Sequence, residues 1–230
     1  EMIDFSFPAE VEEIRLKVRN FMDTVVRPAW DATDQSDRSA VVKTIVGLRK
    51  QARDEEHLWL PHMPAEWGGM GLGPTAMAAV SAEAAKVSIG PFVLNAQAPD
   101  EGNQHTLLHW ATPEQKEKYL RPLCEGTTRS CFAMTKPEVA GSDPTLIKTF
   151  AYRDGDEWVI NGEKWFASHA RFAEFLLVMV VTNPDVPIHQ GASIILVEKD
   201  RPGLEILRNS AVGPYVEQGD GVHAYLRFTD

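Results

Sequence analysis

The sequence predicts an α+β protein of two domains, an N-terminal α-helical bundle followed by an antiparallel β-barrel-like domain. Apolar residues recur at helical spacing through the first half of the chain, whereas apolar runs of strand length fill the second half. Because helices and strands follow one another in two blocks, separate domains are favoured over a parallel α/β sheet. We place the helical domain at residues 1–128 and the β-domain at residues 129–230.

The helical half is divided by prolines and loops. Pro8 is expected at the first position of the opening helix, where its missing N–H costs nothing, and Arg27-Pro28 is expected to end that helix. Thr112, Pro113 and Gln115 form a capping-box pattern, which starts a helix that should end near Pro122. Further helices are predicted over 39–58, over 75–88 and, as one helix or two, over 91–111.

The second half reads as strands bounded by turn residues. Asn161-Gly162 is a hairpin signal, so we expect a turn there between Trp158–Ile160 and Lys164–Phe166. Asp154-Gly155 predicts another turn. The other predicted strands are 130–135, 146–153, 175–182, 192–198, 204–208 and 223–228.

Composition excludes several classes of protein. Hydrophobic residues make up 43% of the 230 residues and charged residues 24%, as in an ordinary globular protein. No apolar run approaches the roughly 18 residues of a membrane span. The net charge of −10 argues against a nucleic-acid partner. Cys124 and Cys131 are too few for a disulfide scaffold, and no secretory signal pattern is seen, so we expect a reducing compartment, cytoplasmic or like the mitochondrial matrix.

Three patterns were considered as functional sites, and none of them favours one. Gly69, Gly71 and Gly73 follow no strand, so a loop between helices is favoured over a dinucleotide site. His105 and His109 lie one helical turn apart, but no further ligand completes a zinc set, so no metal is expected. The sequence contains no G-x-S-x-G nucleophile elbow, which leaves serine hydrolysis with little support.

Two segments suit a planar, polar cofactor. In 132–143 a strand ends in a hydroxyl residue and a small-residue loop follows, which can expose N–H groups to carbonyl or phosphate oxygens. In 158–168 aromatic side chains and a hydroxyl come together, which can pack and hydrogen-bond a ring system. Taken singly, a plain strand end with an Asx turn and an ordinary hydrophobic hairpin explain them as well.

Taken together, the motifs of the chain resemble those of the acyl-CoA dehydrogenase family, in order and at matching intervals over nearly the whole chain. The run Ala98–Asn103 is most similar to the branch related to long-chain acyl-CoA dehydrogenases with fused kinase-like relatives. The other motifs are Phe7-Pro8, Pro64–Gly71, Thr112–Lys116 with Tyr119-Leu120, Ala133–Pro137, Gly141–Asp143 and Val159–Trp165.

The resemblance implies a fold of N-terminal helices, a middle β-domain and a C-terminal helical bundle, with FAD beside the β-domain. Thr135 would bond the flavin pyrimidine edge, and Ser142 would also touch the acyl-CoA substrate. Residues Asn95–Asn103 should lie near the acyl pocket. The implied cofactor-binding residues are Phe132, Met134, Thr135, Gly141, Ser142, Phe166, Ala167 and Ser168.

The implied reaction is the α,β-dehydrogenation of an acyl-CoA thioester. A carboxylate removes the α-proton and the β-hydrogen leaves as hydride to flavin N5; an electron-transfer flavoprotein would then take the electrons. The implied full-length protein is a homo-oligomer. The family's catalytic glutamate lies in the C-terminal bundle, which we expect this chain to lack because it stops within a strand at Asp230. The chain alone should therefore be inactive and bind FAD weakly.

Three positions depart from the family pattern. Phe166 replaces the usual tryptophan, Lys136 replaces the usual glutamate, and His169-Ala170-Arg171 replaces a glycine-rich stretch. Two alternatives therefore stay open on the same fold. One is a flavin monooxygenase or nitroalkane-type oxidase, in which the reduced flavin reacts with oxygen. The other is a binding module that has lost the chemistry.

Overall fold

The computed structural model describes residues 6–211 and 221–230. The chain divides into two compact units, Glu1–His105, called the helical unit, and Thr106–Asp230, called the sheet unit; the division falls inside one helix. Helices come first and strands second, which confirms the predicted α+β class. The helices are α1 (Ala9–Phe21), α2 (Arg27–Asp31), α3 (Arg38–Asp54), α4 (Pro74–Ala84), α5 (Gly90–Val93), α6 (Asp100–Trp110), α7 (Pro113–Gln115), α8 (Arg121–Glu125) and α9 (Ile188–Gly191).

The first helix does not end at its proline, so that prediction is wrong. A π turn over Met22–Val26 joins α1 to α2, and the Arg27 N–H donates to the Met22 carbonyl. The wider turn relieves the clash between the Pro28 ring and the preceding turn, so the helix continues. A second π turn, Lys116–Leu120, does the same for Pro122, and that helix runs on to Glu125.

Other helix signals are confirmed. Both hydrogen bonds of the predicted capping box are present, from the Gln115 N–H to the Thr112 hydroxyl and from the Thr112 N–H to the Gln115 side chain. Pro8 is the N-cap of α1, one position before the predicted one. Gly69, Gly71 and Gly73 lie in the loop between a 3-10 turn, Ala65–Trp67, and α4.

A buried carboxylate joins helices α1 and α4 of the helical unit. Glu83 is 3% exposed and accepts from the guanidinium groups of Arg15, at 2.5 Å, and Arg19, at 2.8 Å. Lys86 completes the cluster at 2.5 Å. The Arg19 hydrogen bond is the largest of the effects that lower the pKa of Glu83 to about 2.

Glu83→Gln should lower the free energy of unfolding at pH 7 by about 1–3 kcal/mol, because three cations lose their shared anion. A lowered carboxyl pKa stabilises above the unfolded value of 4.5, and this contribution is lost as the pH falls toward about 2. Urea unfolding should be measured at pH 7 and at about pH 2. The free energies of unfolding of the wild type and the variant should differ at pH 7 and converge at about pH 2. The matched control is Glu117→Gln, because the Glu117 side chain is 60% exposed in its pair with Arg121; a loss as large as that of Glu83→Gln would contradict the prediction.

The sheet unit contains seven described strands. The strands are β1 (Ser130–Ala133), β2 (Phe150–Asp154), β3 (Glu157–Ser168), β4 (Phe175–Val181), β5 (Ala192–Glu198), β6 (Leu204–Ser210) and β7 (His223–Phe228). Their order in the sheet is β1-β4-β2-β3-β7-β6, and β5 pairs with β4. Most pairs are antiparallel, but β1 runs parallel to β4, so the sheet is mixed rather than wholly antiparallel.

The predicted hairpin turn at Asn161-Gly162 is wrong. The other predicted turn, at Asp154-Gly155, is confirmed next to the Asp154–Glu157 pair, whereas β3 runs straight through Gly162. Gly162 has φ +130°, and a Cβ there would lie 2.8 Å from the Thr149 Cα. β3 pairs with β2 as far as Asn161 and with β7 from Gly162 onward. The glycine therefore permits a close backbone approach where β3 changes partner.

The cysteines and the histidine pair singled out in the sequence form no disulfide and no metal site among the described residues. Cys124 and Cys131 are buried free thiols. His105 and His109 lie on α6, and among residues 6–211 and 221–230 no group of histidine, cysteine or acidic side chains could hold a metal. No helix in this part of the chain combines the length and apolar character that a membrane span requires.

Candidate functional site

The two predicted cofactor segments meet at one end of strands β1 and β3. The Trp165 N–H donates to the Thr135 carbonyl at 3.0 Å, and the Thr135 hydroxyl donates back to the Trp165 carbonyl. Thr135 follows the end of β1 by two residues, and Phe132 is half-buried within that strand. These two hydrogen bonds hold the segment that follows β1 against the interior of β3, although the two lie 30 residues apart in the sequence.

A bulge in β3 reorients the aromatic residue at this junction. The β3–β7 register shifts between Lys164 and Ala167, and Phe166 adopts φ +55°. Positive φ in a bulky residue costs free energy, and such strain is concentrated at functional sites. The Phe166 side chain is 50% exposed and its ring stacks on the Trp165 ring, with 4.9 Å between the ring centres and 3° between the ring planes. The bulge thus presents a flat aromatic face to solvent.

A cation and a second ring extend this stack. Tyr225 of β7 stacks on Trp165 at 5.5 Å, and the Arg208 guanidinium lies 4.9 Å from the centre of the Trp165 ring. The Trp165 Nε1 is buried and has no hydrogen-bond partner among the described residues. Sequence reasoning missed Tyr225 and Arg208, because only the pairing of β3 with β7 and β6 brings them to Trp165.

Ser168 is held at the far side of the bulge. Its hydroxyl lies 2.9 Å from the Nδ1 of His223, which is its cross-strand neighbour. Ala167 is buried and lies opposite Ala224, so only small side chains occupy that pair. His169 has φ +66°, a conformation that glycine adopts without strain, and its Nδ1 lies 3.1 Å from the Arg129 guanidinium.

The small-residue loop after β1 curls around a buried lysine. The Nζ of Lys136 donates to the carbonyls of Asp143, at 2.6 Å, and Ala140, at 3.4 Å. This brings Gly141 beside the Thr135 side chain, 3.7 Å from where a Cβ on Gly141 would be. Ser142 is exposed. Lys136, noted in the sequence as a departure from the family pattern, thus fixes the loop conformation through backbone carbonyls.

A second buried lysine supports the same corner. Lys164 is 0% exposed, and its Nζ donates to the Met134 carbonyl at 2.9 Å. Burial is the largest cause that lowers its pKa to about 7; Lys136 lowers it further and Glu138 opposes. Sequence reasoning did not single out Lys164, since a lysine in a strand is ordinarily exposed.

A cleft of the sheet unit lies elsewhere. It has a volume of about 870 Å³ and a largely apolar lining that includes Trp110, Tyr119, Trp158, Met179 and Ile194. None of the predicted site residues lines it. The segment predicted near an acyl pocket, Asn95–Asn103, lies mostly before and within the first turn of α6, with Asn95, Asp100 and Asn103 buried.

Two family models match this chain over most of its length. The model described as "Acyl-CoA dehydrogenase, N-terminal domain" matches residues 8–127, and the model described as "Acyl-CoA dehydrogenase, middle domain" matches residues 131–228. The match of the middle domain includes all of the predicted cofactor-binding residues.

Relatives and solved structures agree with these matches. The chain is 34% identical to human acyl-CoA dehydrogenase family member 11 over 94% of its own length and 29% of the relative. It is 37% identical to FadE2 of Mycobacterium tuberculosis, named as an acyl-CoA dehydrogenase, over 91% of its length and 53% of the relative. A structure from Mycobacterium abscessus, titled as an acyl-CoA dehydrogenase, superimposes with a TM-score of 0.87 and 32% identity over 98% of this chain and 59% of that one. The chain thus spans between about three-tenths and three-fifths of the length of these relatives.

Proposed function

This chain belongs to the acyl-CoA dehydrogenase family, and from that premise we propose that its sheet unit holds FAD for the α,β-dehydrogenation of an acyl-CoA thioester. The family comprises flavin-dependent oxidoreductases of fatty acid and lipid metabolism. The observation that carries the proposal is the junction of β1 with the β3 bulge, where Thr135 and Trp165 exchange hydrogen bonds beside the exposed ring of Phe166.

The residues of this junction fit a flavin. The Thr135 N–H and hydroxyl would meet the pyrimidine edge, with Met134 contributing backbone and the Phe166 ring packing on the isoalloxazine. Ser168, already bonded to His223, would approach the edge that carries N5. The remaining proposed contacts are Phe132, Gly141, Ser142 and Ala167. FAD supplies a hydride acceptor when it is bound.

The same junction would serve the acyl-CoA. Ser142 is exposed on the loop that Lys136 holds, so its hydroxyl can contact both the cofactor and the thioester chain. No carboxylate of this chain is assigned as the base for the α-proton. We propose that the base lies in a part of the family fold that neither matched domain contains. An electron-transfer flavoprotein and a second copy of this protein are the proposed partners.

The domain boundary at residues 128 and 129 is part of the proposal. It is supported by the family matches, which end at residue 127 and resume at residue 131. Gly126, at φ +74°, closes α8 immediately before it.

The proposed function is tested by titrating FAD into the 230-residue chain and following the quenching of flavin fluorescence. We expect saturable, weak binding. Adding acyl-CoA to the loaded chain should leave the absorbance of the oxidised flavin unchanged, because the base is not among its assigned residues. Absence of saturable binding would contradict the FAD site. Rapid bleaching by acyl-CoA would contradict the placement of the base outside the two domains.

A further inference from the structure

Lys164 is a buried charge that the proposed function does not use. It lies in β3 opposite Leu226 of β7, one residue before the bulge begins. Its side chain is fully buried, and its Nζ donates to the Met134 carbonyl at 2.9 Å. A buried lysine is rare unless its charge has a role, because taking an ammonium out of water is costly.

The partner of Lys164 is half of the peptide group whose N–H is proposed above to meet the flavin pyrimidine edge. The Met134 carbonyl and the Thr135 N–H belong to one planar peptide unit, so holding one end orients the other. The carbonyl and hydroxyl of Thr135 are both bonded to Trp165, whereas its N–H has no acceptor among the described residues. The Thr135 N–H is therefore the donor still available at this corner.

A cation on a carbonyl oxygen polarises the whole amide and strengthens its N–H as a donor. We infer that Lys164 is a positioning residue for the flavin: by donating to the Met134 carbonyl, it orients and polarises the Thr135 N–H that would meet the pyrimidine edge. This inference rests on the proposed FAD site. It assigns to Lys164 an effect on cofactor affinity that depends on its charge.

The neighbouring charges make this effect sensitive to pH. Lys136 faces Lys164 as a like charge and lowers its pKa, whereas Glu138 raises it. With burial as the largest cause, the pKa of Lys164 lies at about 7. Lys164 is therefore charged below this pH and increasingly neutral above it. Because the charged amine is the stronger donor, FAD should bind more tightly below the pKa and progressively less tightly above it.

The test measures the FAD dissociation constant of the chain by flavin fluorescence at about pH 6 and about pH 8.5, on either side of the Lys164 pKa. We expect wild type to bind about three- to tenfold more weakly at the higher pH. Lys164→Met should bind weakly at both. Lys148→Met, which removes an exposed lysine of the same unit, should keep the wild-type profile.

Two further variants keep the inference testable if Lys164→Met does not fold. Lys136→Met removes the like charge and should move the midpoint of the pH profile upward, whereas Glu138→Gln removes the compensating anion and should move it downward. A purely structural role for Lys164 moves neither midpoint. This inference alone is overturned if the FAD affinity of the wild type does not change with pH, or if its pH profile matches that of Lys164→Met. It is also overturned if the midpoint of the profile is the same in Lys136→Met and Glu138→Gln as in the wild type. A wild-type chain that binds no FAD at either pH overturns the proposed function as well.

Discussion

Gly162→Ala is expected to destabilise the sheet unit by about 2–6 kcal/mol, because the strained φ costs roughly 1–3 kcal/mol and the forced packing costs roughly 1–3 kcal/mol more. The Cβ would stand 2.8 Å from the Thr149 Cα and 3.1 Å from its Oγ1. Thr149 cannot retreat easily, because its side chain is buried and its hydroxyl donates to the Glu163 carbonyl at 2.9 Å. Chemical unfolding followed by the fluorescence of Trp158 and Trp165, among the chain's tryptophans, measures the loss.

The matched control for this prediction is Gly155→Ala. Gly155 also has positive φ, +59°, but a Cβ there meets nothing within 4 Å. It should therefore cost only the backbone strain, about 1–2 kcal/mol. If Gly162→Ala and Gly155→Ala lose the same free energy of unfolding, the close approach of β3 to Thr149 tolerates a side chain at residue 162 and the prediction is wrong.

The double variant Thr135→Val with Ser168→Ala is expected to lower FAD affinity about 5- to 150-fold, because it removes two hydrogen-bonding hydroxyls, each worth roughly 0.5–1.5 kcal/mol. In the structure these hydroxyls are held by the Trp165 carbonyl and by His223. They are therefore positioned before any ligand arrives, and their removal should weaken binding rather than only alter local packing. Equilibrium dialysis of FAD against wild type and variant gives the ratio.

The matched control is Thr182→Val with Ser193→Ala. These hydroxyls bond one another at 2.7 Å in the same unit, away from the proposed site. The control makes the same chemical changes, so it should leave FAD affinity unchanged. If both double variants lose affinity equally, the loss reports general loosening of the sheet and the assigned contacts are wrong.

Elements with local signals were predicted well from the sequence. The strands over 192–198 and 223–228 have the predicted bounds, since turn residues or a helix end flank their apolar alternation. The capping box at Thr112 is also local, because all of its hydrogen bonds lie within four residues. Such features depend on neighbouring residues only, and a single sequence contains them.

The errors arose where a distant strand or an irregular helical turn decides the conformation. Asn161-Gly162 has the chemistry of a turn, but pairing with both β2 and β7 keeps β3 extended there. Pro28 and Pro122 are ordinarily helix breakers, but each follows a π turn that accommodates its ring. Neither the second strand pairing nor the π turn has a recognised signal in the residues themselves.

The candidate site shows the same division. Its hydroxyl residues and Phe166 were predicted from motifs whereas Tyr225 was missed, and the structure brings the two predicted segments together through Thr135 and Trp165. The bulge at Phe166 and the buried Lys164 were not found, because both depend on the register between β3 and β7. The orientation of the Phe166 ring and the burial of Lys164 are therefore visible only in the structure.

The most direct test of the FAD site is to follow backbone amide shifts of the isotopically labelled chain during titration with FAD. We expect the largest changes at Thr135, Gly141 and Phe166–Ser168, with Lys164 and Trp165 following. The amides of the apolar cleft near Met179 and Ile194 should stay unchanged. Shifts concentrated in that cleft, or none at the junction of β1 with the β3 bulge, would contradict the proposed site.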